Sequence, residues 1–399
     1  MAKTFLFSTG MILLLGLEIL RVYFIMPFPG SQRSETIALA YFLHNNIAYF
    51  RLLGLLLIAF PVYHYFRFGG RKAKWSMAVS LAVFAAVFYL FNFRLLADKM
   101  FYQPKHKIFA DTLSNKIFEK NLVLGVSLNG EAKAYPLELI GYHHQVRDTI
   151  GNTPAMITYC TVCRTGRVFS PLVEGKPENF RLVGMDHFNA MFEDATTKSW
   201  WRQVNGEALA GPLQGKTLAE IPAEQMRLAA WIKRHPHTLI MQADSTFNEQ
   251  YEGLQSYDEG KSKSHLTAAD SLSWQDKSWI VGVQVHNHAR AYDWNDLIAH
   301  RVLNDTLAGR ALVVAVESDS ASFHVWLRDS LHFAWDAATA LLQDDQTQSS
   351  WNWKGECVAG VLQGSKLQVL QSYQEFWHSW RTFHPQTTRF GAAKASPVN

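Results

Sequence analysis

The sequence predicts a three-helix N-terminal transmembrane region followed by a β-rich α+β extracytoplasmic domain built from two tandem repeats. This prediction rests on three apolar stretches before residue 98 and an internal repeat after it. The net charge of +4 is spread along the chain without a long run of like charges. Because nucleic-acid-binding domains concentrate basic residues in a patch or stripe, the composition gives no reason to expect nucleic acid as a partner.

Each of the three apolar stretches has the length of a membrane-spanning helix. They cover residues 5–26, 47–66 and 75–97. A helix of about 20 apolar residues crosses a hydrocarbon core of about 30 Å. The first stretch is too long for a signal peptide and lacks a small-residue cleavage site. We therefore expect three membrane spans rather than a cleaved leader.

Lysine and arginine in short loops set the orientation of a membrane protein, because such loops tend to stay in the cytoplasm. The loop between the second and third stretches carries Arg67, Arg71, Lys72 and Lys74. We expect this loop and the N-terminus to be cytoplasmic, and the chain from about residue 98 to be extracytoplasmic. The predicted location is a bacterial inner (plasma) membrane, with the lipid bilayer as one partner.

The part of the chain after residue 98 contains two similar segments. Residues 122–149 align without gaps with residues 279–306, and residues 206–218 align with residues 355–367. Shared order and spacing indicate a tandem duplication. The predicted domains are a transmembrane region (1–97), a first repeat with the cysteine pair (98–241), a polar connector (242–276), a second, cysteine-poor repeat (277–390) and a tail (391–399).

Local patterns predict mainly strands in each repeat. Alternating apolar residues flank Asn129-Gly130, a pair typical of a two-residue hairpin turn. Residues 154–160 form a continuous apolar run, which predicts a buried strand that ends at the first cysteine of the pair. Residues 223–233 and their counterpart, 374–382, are predicted to be helices.

Cys160 and Cys163 are the residues most suited to chemistry. Outside the cytoplasm a Cys-x-x-Cys pair can form a disulfide, cycle as a dithiol or hold a soft metal such as copper or zinc. The aligned positions of the second repeat hold Glu317 and Ser320, so only one half carries the pair. Cys357 is the third and last cysteine, which excludes a four-cysteine zinc site.

Histidines of the same repeat are the candidate helpers of the cysteine pair. His143 and His144 end a short predicted helix just before the strand that leads to Cys160, and His187 follows later. Imidazole and thiolate together suit copper or zinc. His143 recurs as His300 in the half without the cysteine pair. This recurrence favours a structural role for His143, and a role at the cysteine pair stays open.

Several blocks resemble, in order, a bacterial domain-of-unknown-function family, DUF3179. They are "HHQVRDTIGNTPAMITYCTVCRTGRVF", "FEDATTKSWWRQVNGEALAGPLQGKTL" and "WIKRHPHT". The resemblance places His143, Cys160 and Cys163 on motif positions. It also places there the motif residues Asp194, Thr197, Ser199 and Trp200. Thr161 departs from the family pattern, which has proline after the first cysteine. The function of the family is not established, so the resemblance implies positions and not a reaction.

Two hypotheses about function follow from the sequence. The first is a membrane-anchored extracytoplasmic protein whose Cys-x-x-Cys pair binds a soft metal, copper or zinc, or acts in thiol redox chemistry. The second is a non-enzymatic binding or assembly module in which the pair is a structural disulfide and a periplasmic protein partner meets a tryptophan-rich surface. The sequence leaves open whether the protein is an enzyme, and it identifies no catalytic residue.

Overall fold

The computed structural model describes residues 1–391, so the predicted tail lies outside the described residues except for its first residue, Gly391. The chain forms two compact units. The first combines Met1–Tyr102 with Glu178–Thr217, and the second combines Gln103–Pro177 with Leu218–Asn399. The division into repeats at 98–241 and 277–390 follows a different criterion, internal similarity, and stays a prediction.

Three long helices form the N-terminal part of the first unit. They are Ala2–Tyr23 (α1), Ile37–Phe68 (α2) and Arg71–Phe93 (α3), and each is long and apolar enough to cross a membrane. The helices α2 and α3 begin before the apolar stretches that predicted them, because alanine, leucine, arginine and lysine at their starts are good helix formers. Many large apolar side chains on these helices are exposed, among them Phe5, Ile12, Leu52, Leu56, Phe60, Trp75 and Val79. These exposed faces fit a membrane association.

A buried polar network ties the three helices together. Glu18 of α1 is fully buried and accepts hydrogen bonds from Arg51 Nε (2.6 Å) and Nη2 (2.8 Å) of α2. Asn92 of α3 donates to the same carboxylate (2.8 Å) and accepts from Arg21 (2.6 Å). Charges inside apolar helices persist when they are paired in this way. The network explains the charged residues of the apolar stretches as packing contacts between helices.

The first unit also contains a four-stranded antiparallel sheet. Its strands, in spatial order, are Ala208–Ala210, Trp200–Arg202, Asn189–Asp194 and Phe180–Asp186. The backbone of Met185 donates to the Ile25 carbonyl (2.7 Å), and Tyr41 packs edge-on against Trp200. The sheet therefore packs on the ends of the helices within this unit.

The second unit begins with a five-stranded sheet and a cysteine-bearing three-stranded sheet. In spatial order, the first has Ile108–Ala110, Leu239–Gln242, Glu131–Pro136, Leu122–Leu128 and Glu224–Arg227. The second has Gln145–Ile150, Thr153–Cys160 and Thr165–Phe169. The helix Leu137–His143 connects the two sheets, the helix Leu228–Arg234 follows the last strand of the first, and Leu172–Val173 pairs with Lys176–Pro177.

Three four-stranded sheets follow from residue 279 onward. One sheet has Ser372–Phe376, Trp279–Val285, His288–Asp293 and Thr388–Arg389, in spatial order. The next has Val302–Leu307, Arg310–Val316, Phe323–Leu327 and Gln368–Val369. A third has Phe333–Asp336, Leu341–Asp344, Ser350–Trp351 and Cys357–Ala359. The helices are Trp294–His300 and Trp377–Phe383, and the segment before these sheets holds two short helical turns, Ser245–Phe247 and Asn248–Glu252.

The predicted helices at 223–233 and 374–382 are wrong in their first residues, up to Arg227 and Phe376. Glu224–Arg227 is a strand that pairs with residues 122–125, and Ser372–Phe376 is a strand that pairs with residues 279–283. Helix begins only at Leu228 and at Trp377. Sheet pairing with a distant strand overrides local helix propensity here, and a single window of sequence does not contain that partner.

Candidate thiol site

Cys160 and Cys163 lie in one tight hairpin turn of the second unit. The strand Thr153–Cys160 pairs with Thr165–Phe169, and Cys160 stands opposite Thr165. Arg164 closes the turn with a positive φ of 56°. Both cysteines are fully buried and present as thiols. The predicted buried strand therefore ends, as expected, at the cysteine pair.

A line of buried polar side chains begins at Cys163. Its thiol makes side-chain hydrogen bonds with Cys160 and with Ser379. The Ser379 hydroxyl donates to Glu375 Oε2 (3.0 Å), and Glu375 in turn accepts a hydrogen bond from Arg167 Nη2 (2.5 Å). Ser379 and Glu375 are fully buried. The thiols thus connect to a paired carboxylate through a single hydroxyl.

Burial raises the pKa of the Cys163 thiol well above its usual range, and the Cys160 thiol adds to that rise. The Ser379 hydroxyl and the Lys277 ammonium act in the opposite direction. Lys277 stabilises a negative sulfur by its charge, and Ser379 does so when its proton turns from Glu375 to the sulfur. At neutral pH, Cys163 is therefore a protonated thiol. A thiolate forms here only when burial is relieved or when a new bond to sulfur replaces the proton.

Lys277 covers the turn with its charged end. Its Nζ donates to the carbonyls of Val162 (2.6 Å) and Leu266 (2.8 Å), and it lies 3.2 Å from His378 Nε2. An ammonium has three donors and no acceptor, so His378 Nε2 accepts the third hydrogen bond. The 3.1 Å approach of the same nitrogen to the Val162 carbonyl is then a contact without a hydrogen bond. Burial and the Lys277 charge lower the pKa of His378 to about 3, which keeps its ring neutral.

Backbone contacts from distant segments fix the shape of the turn. Tyr257 Oη donates to the Thr161 carbonyl (3.0 Å), and the Phe376 amide donates to the Cys163 carbonyl (3.0 Å). The Arg164 guanidinium stacks on Trp279 at 3.8 Å. The sequence prediction missed Tyr257, Lys277 and the 375–379 segment as neighbours of the pair. Lys277, the first residue after the polar connector, was the available signal.

His143 and His144 belong to the same unit but have their own partners. His143 is fully buried, its Nε2 lies 2.6 Å from Tyr251 Oη, and its ring packs edge-on against Phe247. His144 ends its helix with a positive φ of 60°, and its Nδ1 lies 3.1 Å from the Tyr142 carbonyl. Burial lowers the pKa of His144 to about 4. Both rings are used in the packing of this helix end.

The side chains near the cysteine pair decide which metals it could hold. Within residues 1–391, no group of three or more histidine, cysteine, aspartate or glutamate side chains is arranged to hold a metal ion. Zinc takes a tetrahedral set of protein ligands in structural sites, so the cysteine pair lacks the partners that zinc needs. Two adjacent thiols do match the soft donors that Cu(I) prefers.

A comparison with protein families identifies the chain. The model described as "Protein of unknown function (DUF3179)" matches residues 103–387. The chain belongs to the DUF3179 family. The predicted resemblance is thereby confirmed, and the DUF3179 match begins after the three apolar helices. No match was found among curated proteins or solved structures.

The remaining residues predicted from the DUF3179 resemblance or from spacing lie in the first compact unit. His187 has a positive φ of 48°, and its Nδ1 lies 2.7 Å from Asp186, which raises the pKa of the imidazole. Arg202 binds the other oxygen of Asp186 (2.7 Å). His187 and the cysteine pair thus belong to different units of the fold.

Asp194 organises the polar DUF3179 motif by hydrogen bonds that hold the loop 194–201 closed, an arrangement called here the Asp194 clasp. Its carboxylate accepts hydrogen bonds from the Thr197 hydroxyl (2.7 Å), the Ser199 amide (3.1 Å) and Trp201 Nε1 (2.9 Å). Trp200 Nε1 donates to Glu193 (2.9 Å) instead. The same clasp is built by the corresponding residues Asp344, Thr347, Ser349 and Trp351. Because these groups satisfy one another, the geometry gives this motif a structural role.

Proposed function

We propose that this DUF3179 protein is membrane-anchored and carries a thiol-redox site at Cys160 and Cys163 in an extracytoplasmic domain. The observation that supports this best is the hydrogen bond between the two thiols inside one hairpin turn. Thiols this close can form a disulfide with little movement of the backbone. Lys277 and Ser379 stand beside Cys163, where they stabilise the sulfur when it loses its proton.

The proposed reaction is thiol–disulfide exchange with a protein disulfide. The Cys163 thiolate attacks one sulfur of the partner disulfide and releases the other as a thiolate. The Cys160 thiolate then attacks the Cys163 sulfur and releases the second partner sulfur. Two electrons pass from the pair to the partner, and the two thiol protons end on the partner's sulfurs. Since both cysteines are buried, the residues that cover the turn must open before a partner can bind.

Cu(I) binding is the second candidate, and the softness of the two sulfur donors supports it. Each thiol gives up its proton when it binds a metal. The Lys277 ammonium would offset the negative charge of the two sulfurs. His143 and His144, which are held by Tyr251 and the Tyr142 carbonyl, would assist only after losing those contacts. The cysteine pair suits zinc less well, because the described residues offer no further ligands to complete a tetrahedral site.

The orientation and the duplication belong to the same proposal. The basic loop between α2 and α3 supports a cytoplasmic N-terminus and an extracytoplasmic second unit. The matching hydrogen bonds around Asp194 and Asp344 support a duplication. The two proposed repeats also contact each other, since the turn at 161–164 contacts Phe376 and His378, and the Arg227 amide donates to Ser322 (3.1 Å).

The experiment is a redox titration of the full chain in detergent, with thiols counted by a chromogenic disulfide reagent under denaturing conditions. We expect one disulfide to form and break reversibly, with a midpoint between about −120 and −270 mV, the range of exchange-active pairs. Cys160→Ser and Cys163→Ser should abolish this transition. Cys357→Ser, which removes a buried cysteine of the other repeat, should leave it unchanged.

Two outcomes would contradict the redox proposal. A midpoint below about −300 mV is typical of a structural disulfide and would favour the binding or assembly module. Thiols that stay reduced under an oxidising glutathione buffer would also contradict it. Copper is measured in the same samples. One equivalent of Cu(I) that is lost in Cys160→Ser and retained in Cys357→Ser would support the second candidate.

A further inference from the structure

A cavity of the first unit lies at the turn between the helices α2 and α3. Its volume is about 480 Å³, and its lining residues are Phe66 and Gly69 at the end of α2 and Arg71, Lys74, Trp75 and Ala78 at the start of α3. The residues from α3 are spaced by three and four positions, so they share one face of that helix. Sites for small molecules have volumes of roughly 300–1,000 Å³, and this cavity falls within that range.

The polar side chains of this cavity are open to a ligand. Arg71 and Lys74 are exposed, and Trp75 is 63% exposed. Within residues 1–391, neither Arg71 nor Lys74 makes a side-chain hydrogen bond or an ion pair. The guanidinium, the ammonium and the indole N–H are all hydrogen-bond donors and include no acceptor. A ligand that enters the cavity therefore meets donors and two positive charges.

The charge at this end of the helices is positive throughout. Lys3 reaches the same end, since its Nζ lies 3.0 Å from His64 Nε2 near the end of α2, and Arg67 and Lys72 add two further cations. Residues 36–97 contain no aspartate or glutamate, and no carboxylate lines the cavity. Such a donor set selects an anion. The planar fork of arginine matches the oxygens of a phosphate, and lysine adds a point charge.

The apolar part of the lining decides where the phosphate comes from. Phe66 is 41% exposed at the cavity, and the face of α3 that carries Trp75 continues with the exposed residues Val79 and Val83. A free phosphate would leave these apolar groups uncovered, whereas a phospholipid joins a phosphate to acyl chains. Tryptophan at the end of a membrane span lies at the level of the headgroups, and basic pockets at that level bind anionic headgroups.

We propose that this cavity binds the headgroup of an anionic phospholipid of the phosphatidylglycerol type. The Arg71 guanidinium donates two hydrogen bonds to the phosphate, the Lys74 ammonium adds its charge, and the acyl chains lie against Phe66 and Ala78. A phosphatidylcholine headgroup carries a cation of its own, which Arg71 and Lys74 repel, so the cavity prefers the anionic lipid. This inference rests on the membrane anchoring proposed above and does not depend on the chemistry of the cysteine pair.

The test is native mass spectrometry of the full chain in a non-ionic detergent, titrated with phosphatidylglycerol or with phosphatidylcholine of the same acyl chains. We expect the first phosphatidylglycerol to bind at least about tenfold more tightly than phosphatidylcholine. Arg71→Gln combined with Lys74→Gln should lower this ratio to less than about threefold. Arg33→Gln combined with Arg94→Gln removes the same charge from exposed positions at the opposite end of the helices and should leave the ratio unchanged.

Flotation of the full chain with phosphatidylcholine vesicles separates the lipid site from the membrane anchoring. A chain that does not float contradicts the anchoring, and the lipid site with it. A chain that floats but binds the two lipids equally well overturns the lipid site alone. The site is also overturned if the Arg33/Arg94 control lowers the ratio as much as the Arg71/Lys74 variant does. Displacement of phosphatidylglycerol by equimolar glycerol phosphate or tetraglutamate would likewise overturn it, in favour of a free phosphate or an acidic peptide.

Discussion

Single residues around the thiols act mainly through charge and burial. Cys163 stays protonated because it is buried, while Lys277 and Ser379 are placed to stabilise the thiolate once the cover opens. His378 completes the hydrogen bonding of Lys277 and must remain neutral to do so, since a protonated ring has no acceptor nitrogen. The reactivity of the cysteine pair is therefore controlled by the neighbouring residues Lys277, His378 and Ser379 as much as by the sulfurs.

His378 predicts an acid sensitivity of the fold. Its folded pKa of about 3 lies below the unfolded value of about 6.5, so the unfolded chain takes up a proton first as pH falls. The contribution of neutral His378 to the free energy of unfolding is fully present above pH 6.5 and is lost as pH falls from there toward 3. The loss amounts to about 2 kcal/mol at about pH 5.

We expect His378→Gln to lose less stability than the unmodified chain between about pH 7 and pH 5, because glutamine has no proton to take up there. Thermal unfolding as a function of pH measures this. His300→Gln, at an exposed position, should follow the unmodified chain. Equal slopes for His378→Gln and the unmodified chain would contradict the prediction.

At the scale of elements, the same packing arrangement occurs twice in the second unit. Trp231 packs over the strand Leu122–Leu128 at Gly125, and its Nε1 donates to Thr238 (2.8 Å). Trp380 packs over the strand Trp279–Val285 at Gly282 in the same way, and its Nε1 donates to Thr387 (2.8 Å). Glycine is required in each strand because the indole occupies the space of a side chain.

Gly125→Ala should destabilise the second unit. Its Cβ would lie 2.3 Å from Trp231 Cε3, a separation that forces the buried indole to move. We expect a loss of about 1–3 kcal/mol in the free energy of unfolding, as for other overpacked cores. Chemical denaturation checks this, with Gly70→Ala as the control because no atom lies near its Cβ. A Gly125→Ala chain as stable as the control would show that the contact can relax.

At the scale of the whole molecule, the chain forms one unit that combines three apolar helices with a four-stranded sheet, and a second unit rich in strands. The Glu18–Arg51–Asn92 network satisfies the charges among the helices, and the exposed apolar faces remain for lipid. Transfer of apolar surface out of water contributes about 25 cal/mol per Å². This term favours insertion of the helices into a bilayer, and the basic loop then favours one orientation.

The proposed orientation can be checked by labelling single introduced cysteines in whole cells with a membrane-impermeant maleimide. We expect Lys263→Cys, an exposed position of the second unit, to react, and Gly70→Cys, in the basic loop, to be protected at least about tenfold. The native cysteines give little background because they are buried. Both positions should react in permeabilised cells. If only Gly70→Cys were labelled in intact cells, the orientation would be the reverse of the proposed one.

Much of the local structure was predictable. The three helices, the hairpin at Asn129-Gly130 and the strand that ends at Cys160 follow from hydropathy, turn chemistry and apolar runs. The strands at Glu224–Arg227 and Ser372–Phe376 did not, because their partners lie far away in the chain. The Asp194 clasp was visible as a motif, but its structural role became apparent only from its closed set of hydrogen bonds.

The sequence by itself determined that the N-terminal helices are apolar and long enough to cross a membrane, the family and the position of the cysteine pair at a strand end. These depend on the chemistry of consecutive residues. Only the tertiary structure decided what surrounds the thiols. Lys277 and Ser379 reach Cys163 from far along the chain, and Glu375 connects to it through Ser379, while His187 belongs to another unit. The physical reason is that burial and charge act through space, so the protonation of Cys163 depends on groups that are remote from it in sequence.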